Sequence, residues 1–180
     1  MIEAREHFYA DDPAVGPPDV RTRLRDASYF FLGNGLIQAA VQYAPGGEGT
    51  PLGLLVMDPE VLGPKRAALT MHPERGLEPT IIEVVTDGLV HKPVPESLRV
   101  TWEDSAGAPV VRADWRAGSL DVRERFSCPD PSRPILVRSL LLKPVGPDPV
   151  KVLLRTGAGA AVLERALEAS PGGTPPLEIV

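Results

Sequence analysis

The chain has 180 residues, of which 43% are hydrophobic and 24% charged, and its formal net charge is −5. This composition is ordinary for a soluble globular protein, and the acidic balance argues against a nucleic-acid partner, because phosphate binding needs a basic face. The longest apolar runs fall far short of the roughly 20 residues that a membrane-spanning helix needs, so no membrane partner is expected. The N-terminal residues Met1–His7 contain no apolar h-region, so no signal peptide is expected in this chain and a cytoplasmic location is predicted, while secretion of a longer parent protein stays open.

Metal and thiol chemistry find little support in the residue pattern. Cys128 is the single cysteine, which excludes an internal disulfide and a Cys-based structural zinc site. It has no activating neighbour, so we expect an inert thiol. His7, His72 and His91 are far apart and lack any metal-ligand spacing. The sequence therefore predicts no metal site and no cofactor.

Residues 1–22 are predicted to be an irregular lead-in, and residues 23–180 a single β-sandwich domain. The segment Pro175–Val180 resembles the entry into another strand. This pattern predicts that the chain is a piece of a longer, multidomain enzyme.

A hairpin is predicted around Gly33-Asn34-Gly35, where two apolar runs flank the sharpest turn signal of the chain. Asn and Gly tolerate positive φ angles, so a tight reversal costs little there and pairs the two runs antiparallel. Three of the seven Phe and Tyr residues lie in the first run, which indicates a heavily buried hairpin. The turn residues themselves carry no chemistry, so we assign them a structural role.

A regular β pattern follows one irregular segment. After a strand predicted over Gly53–Asp58, the segment Pro59–Pro79 shows no clean period and is predicted to be one long irregular loop. Beyond it, turn-rich pieces separate strand candidates at intervals of about a dozen residues, which is typical of an antiparallel two-sheet β-sandwich. These candidates are Thr80–Thr86, Ser97–Glu103, Pro109–Trp115, Ser119–Ser127, Ile135–Lys143 and Val150–Arg155. The segment Gly159–Ser170 is rich in helix formers and is predicted to be a short amphipathic helix near the C-terminus.

Glu124 is the carboxylate that alternation places on an inward face, together with Leu120, Val122 and Phe126. A buried carboxylate is costly unless it is paired. One hypothesis is a general acid or base, and the other is a structural ion pair with Arg138, an isolated charge in the apolar strand Ile135–Lys143. We favour the ion pair, since no partner carboxylate is found at a sensible spacing.

Trp102 and Trp115 each end a predicted strand, so both could lie near one edge of the sandwich. There they would be able to stack on a sugar ring, although filling the core is the more common role of tryptophan. They are the candidate carbohydrate-binding residues.

Three segments together resemble a known arrangement: Phe31-Leu32-Gly33-Asn34-Gly35, Val122–Asp130, and Ile135–Pro144 followed by Pro149–Val152. They are similar to the N-terminal β-sandwich of bacterial glycoside hydrolases and phosphorylases that have an (α/α)6-barrel catalytic domain. The glucoamylase-like, cellobiose and maltose phosphorylase-like and glycogen-debranching-like enzymes belong to this group. The resemblance implies a supersandwich fold of the galactose-mutarotase-like type. It supplies no catalytic residue, because the acid and base of these enzymes lie on the barrel.

Three functions stay open on these grounds. The first is a non-catalytic accessory domain that packs on the catalytic barrel of the same polypeptide, or that contributes to a homo-oligomer. The second is an independent module that binds oligosaccharide through Trp102 or Trp115. The third is a mutarotase-like sugar epimerase, which would need His91 or His72 to face Glu124 in one cleft.

Overall fold

The computed structural model describes residues 24, 26–46, 49–57, 76–77, 81–103, 107–158 and 161–179. The predicted lead-in lies outside these residues, as do His7, His72 and, apart from Gly76 and Leu77, the predicted long loop. The described residues are mainly β, as predicted, and contain twelve strands and no helix. None of them belongs to a helix that is long and apolar enough to cross a membrane.

The strands pair antiparallel in three sheets, whereas the sequence predicted two. The first sheet contains, in spatial order, β1 (Ser28–Gly33), β2 (Gln38–Tyr43) and β3 (Leu52–Met57). The second contains β11 (Ala161–Ala169), β10 (Val150–Ala158), β4 (Ile81–Thr86) and β5 (Leu89–His91). The third contains β12 (Leu177–Ile179), β9 (Val137–Pro144), β8 (Leu120–Ser127), β7 (Val110–Ala117) and β6 (Arg99–Glu103).

The helix predicted over Gly159–Ser170 is wrong, because this segment forms strand β11. The strand pairs with β10 along its whole length, from Ala161 opposite Ala158 to Ala169 opposite Val150. Arg155 Nε of β10 donates to Glu164 Oε1 of β11 at 2.7 Å. Helix propensity is a weak preference, and the backbone hydrogen bonds that β10 offers override it.

The hairpin near the start of the described residues pairs β1 with β2, and Gly33 lies opposite Gln38. Its turn is closed by a hydrogen bond of 3.3 Å from the Asn34 amide to the Ile37 carbonyl. Gly35 has a φ of 91°, which favours glycine. The reversal therefore begins at Asn34, and Gly33 is the last residue of β1.

The buried side chains of all three sheets form one hydrophobic cluster. Leu52 of the first sheet, Leu154 of the second and Leu140 of the third belong to it. Along β8, buried residues alternate with more exposed ones, as expected of a sheet with one face in the core. Glu124 falls on the buried side of this alternation, which sets the geometry of the candidate site.

Candidate functional site

Glu124 lies at the centre of a polar network inside the third sheet. Its side chain is completely buried, and Trp115 Nε1 donates to its Oε1 at 2.8 Å. Arg138 donates to Oε2 from Nε at 2.8 Å and from Nη2 at 2.5 Å. The structure thus brings together both members of the predicted ion pair and one of the two predicted tryptophans.

The pairing of β7, β8 and β9 explains this arrangement. Trp115 lies opposite Val122 and Arg138 lies opposite Phe126, so each is a diagonal neighbour of Glu124 on the same face of the sheet. The Arg138 guanidinium also lies 5.5 Å from the centre of the Phe126 ring. Both carboxylate oxygens therefore have partners within the core, and no exposed surface of Glu124 remains for a substrate to reach.

The two tryptophans have opposite environments. Trp115 is only 3% exposed and its indole N–H is bound by Glu124, so it offers no face to a sugar ring. Trp102 is 50% exposed and forms an edge-to-face pair with Phe30, with ring centres 5.7 Å apart. Of the predicted carbohydrate-binding residues, Trp102 alone presents an accessible ring.

Asn34 joins the hairpin turn to the loop between β8 and β9. Its Oδ1 accepts hydrogen bonds from the Leu36 and Ile37 amides, both at 3.0 Å. Its Nδ2 donates to the carbonyls of Asp130 at 2.5 Å and Arg133 at 2.8 Å. The turn is therefore a structural cross-link as well as a reversal of the chain.

The same loop is ordered by the side chain of Asp130. Its Oδ1 accepts from the Ser132 amide at 2.9 Å and from the Ser132 hydroxyl at 2.6 Å, and its Oδ2 accepts from Arg133 Nε. The hydrogen bonds from Ser132 and Arg133 lower the pKa of the Asp130 carboxyl from 3.8 to about 2. Asp130 thus fixes the two carbonyls that hold Asn34.

The remaining titratable candidates are not assembled with Glu124. His91 lies on β5 of the second sheet, and its Nε2 is 3.0 Å from the Thr86 hydroxyl. Cys128 is buried, and burial raises the pKa of its thiol, which makes it a poorer nucleophile. Within the described residues, no group of three or more His, Cys, Asp or Glu could hold a metal ion.

The outer faces of the first and third sheets differ in polarity. On the third sheet, Asp114 contacts both Arg112 at 2.8 Å and Arg123 at 2.7 Å, and a groove of about 670 Å³ there is lined largely by charged side chains. On the first sheet, Phe31 lies opposite Ala40, and Ala40 lies opposite Leu55. Phe31 is 67% exposed, whereas Ala40 is buried and Leu55 is half-buried, so Phe31 is the member of this apolar row that reaches the surface.

Sequence reasoning missed Phe30 as the ring partner of Trp102 and the long-range contacts of Asn34. The Trp102 pair depends on how the first sheet meets the third, for which strand periodicity gives no signal. The dipeptide Asn34-Gly35 indicates that the Asn34 side chain can accept hydrogen bonds within its own turn. The sequence does not indicate which distant carbonyls accept from Nδ2.

Comparison of the chain with protein-family models, with curated proteins and with solved structures finds no match.

Proposed function

We propose that this chain is a non-catalytic N-terminal accessory domain of a carbohydrate-active enzyme, either a glycoside hydrolase or a phosphorylase. In this proposal the three sheets belong to a supersandwich that packs on a catalytic (α/α)6 barrel and shapes its cleft. The sequence resemblance described above supports the family. The exposed Phe31 on the first sheet supports the packing role.

The apolar row on the first sheet contains Phe31, Ala40 and Leu55, of which Ala40 is buried, Leu55 is half-buried and Phe31 is largely exposed. Single exposed apolar residues are common, and the proposal assigns the contact with another domain to the large exposed ring of Phe31. The outer face of the third sheet offers a contrast, since its arginines and aspartates are paired and stay in water. The first sheet is therefore the face that we assign to the barrel.

The environment of Glu124 also favours an accessory role. A general acid or base must lie within hydrogen-bond reach of the proton that it transfers. Glu124 is enclosed in the core and bound by Trp115 and Arg138, so its charge serves the fold.

The reading frame beyond Val180 gives the first test. We expect it to encode several hundred residues of alternating helices and loops, and a stop codon directly after Val180 would overturn the proposal. The encoded downstream segment, produced separately, should bind the 180-residue chain.

In that binding assay, Phe31→Ser should weaken the association. Val145→Ser is the matched control, because Val145 is also an exposed apolar residue but lies in the loop between β9 and β10. Equal binding by both variants would remove the first sheet from the interface.

The exposed Trp102 favours a second candidate function, an independent oligosaccharide-binding module. Its ring is held by Phe30 and leaves half of its surface open, which suits stacking on a sugar ring. Titration with neutral oligosaccharides should then change the tryptophan fluorescence, and Trp102→Ala should abolish the change. Trp115→Phe should retain it, because Trp115 is buried. An unchanged spectrum at saturating sugar would exclude this function.

A further inference from the structure

We propose that Asn34 is a site of spontaneous deamidation, which the native fold keeps latent through the hydrogen bonds of its side-chain amide. Asn34 is followed by Gly35, and a glycine has no side chain to hinder attack by its backbone nitrogen. Asparagine is accordingly one of the thermolabile residues of proteins. The proposal is independent of the function assigned above.

The reaction needs only water as co-reactant. The Gly35 nitrogen attacks Cγ of Asn34, so a bond from nitrogen to Cγ forms and the bond from Cγ to Nδ2 breaks. The Gly35 N–H proton leaves with Nδ2 as ammonia, and a five-membered imide remains. Water then opens the imide at either carbonyl and yields aspartate or isoaspartate. No atom is oxidised or reduced.

The native contacts oppose the first step. Cγ must turn toward the Gly35 nitrogen, yet Oδ1 is held by the Leu36 and Ile37 amides and Nδ2 by the Asp130 and Arg133 carbonyls. Attack therefore requires the turn to separate from the loop between β8 and β9. Local opening of this kind sets the rate of reactions at protected groups.

Deamidation would also make the separation permanent. The aspartate product still accepts hydrogen bonds from Leu36 and Ile37, but an ionised carboxylate has no hydrogen to donate. The Asp130 and Arg133 carbonyls would then face a negative charge. The hydrogen bonds between the hairpin turn and the loop therefore cannot re-form, so a single deamidation changes the protein irreversibly.

Peptide mapping by mass spectrometry tests the proposal directly. The chain is held in mildly alkaline buffer, either native or unfolded in guanidinium, and the conversion of Asn34 is followed with time. The two Nδ2 hydrogen bonds of the native chain must break before the attack. We therefore expect the native chain to react about 30-fold more slowly than the unfolded chain, a difference of about 2 kcal/mol. Equal rates, or no conversion in the unfolded chain, would overturn the proposal.

A substitution that leaves Asn34-Gly35 intact tests the role of the loop. Asp130→Ala removes the acceptor that orders Ser132 and Arg133, and we expect native deamidation to accelerate about fivefold, the effect of one hydrogen bond. Asp148→Ala, which removes an exposed carboxylate from a different loop, should leave the rate unchanged. Ser132→Ala removes only the hydroxyl bond to Asp130 and should act in the same direction as Asp130→Ala. Unchanged rates in both loop variants, with native circular dichroism, would contradict the mechanism.

Discussion

At the scale of single residues, Glu124 brings a charge into an otherwise apolar face. Its partners are supplied by the two neighbouring strands, Trp115 from β7 and Arg138 from β9. A buried pair of this kind adds little net stability, but removal of one partner leaves an uncompensated charge in the core. The network therefore constrains how β7, β8 and β9 align.

A double-variant experiment measures this constraint. Glu124→Leu leaves the Arg138 guanidinium buried without its carboxylate, and we expect it to lower the free energy of unfolding by about 3–5 kcal/mol. The double variant Glu124→Leu/Arg138→Met should recover most of that loss, because it removes both charges. Urea unfolding measures all three chains. A double variant less stable than Glu124→Leu would show that the guanidinium is held by other groups.

Gly76 lies against the side chain of Gln42 on β2, and a substitution tests this contact. Its φ is 71°, and an added Cβ would lie 2.0 Å from Gln42 Oε1, which accepts from the Leu77 amide at 2.8 Å. Gly76→Ala should therefore cost about 2 kcal/mol or more, from backbone strain and a lost buried hydrogen bond. Gly88→Ala is the matched control, because its φ is 77° and nothing lies within 4 Å of the added Cβ. The difference between their thermal midpoints isolates the contact with Gln42, and equal midpoints would refute it.

Asp130 predicts a defined acid dependence. The pKa of its carboxyl is lowered from 3.8 to about 2 in the folded chain. Its contribution to stability is therefore complete above pH 3.8 and is lost as the pH falls toward 2. Asp130→Asn should remove this part of the profile of urea midpoint against pH, whereas Asp148→Asn should retain it. Superimposable profiles for Asp130→Asn and the unsubstituted chain would contradict the assignment.

At the scale of elements, the alternation of apolar and charged residues predicted β6 and β8, and the regular spacing of turns predicted β7. The strands predicted at Gly53–Asp58, Thr80–Thr86, Ile135–Lys143 and Val150–Arg155 are also present, with shifted ends. β5 and β12 have three residues each, which is too short for a period to show. β11 was missed because its composition favours a helix. Its pairing with β10 is a tertiary contact that no local pattern indicates.

The residues of the candidate site also differ in whether a local sequence pattern predicts them. Inward alternation identified Glu124, and a lone charge in an apolar strand identified Arg138. The third member, Trp115, depends on the register between β7 and β8, which no local pattern encodes.

Amide exchange gives the sharpest test of β11. In an antiparallel pair, every second residue of a strand directs its N–H to the neighbouring strand. We expect the amides from Ala161 to Ala169 to alternate between slow and fast hydrogen exchange in NMR spectra. Uninterrupted protection of consecutive amides would indicate a helix and refute the pairing with β10.

At the scale of the whole molecule, three sheets share one hydrophobic core. Leu52, Leu154 and Leu140 come from the first, second and third sheet, and each is buried in the common cluster. No described sheet therefore has a core of its own, which predicts that the sheets unfold together.

Matched leucine truncations test this cooperativity. Leu52→Ala, Leu154→Ala and Leu140→Ala should each lower the free energy of unfolding by about 2–5 kcal/mol within a single transition. Far-ultraviolet circular dichroism and the fluorescence of the two tryptophans should report the same midpoint for every variant. Separate midpoints in Leu52→Ala would show that the first sheet unfolds independently.

The contact between Asn34 and the Asp130 carbonyl also has a consequence for synthesis, because the two residues are 96 positions apart. A newly made chain exposes the amide of Asn34 until the ribosome has released the loop that covers it. At roughly 5–20 residues per second, that interval lasts on the order of 10 s. During translation the Asn34 side chain therefore lacks the hydrogen bonds that oppose deamidation. Until the loop between β8 and β9 is made, the short duration of synthesis, rather than the fold, limits the reaction.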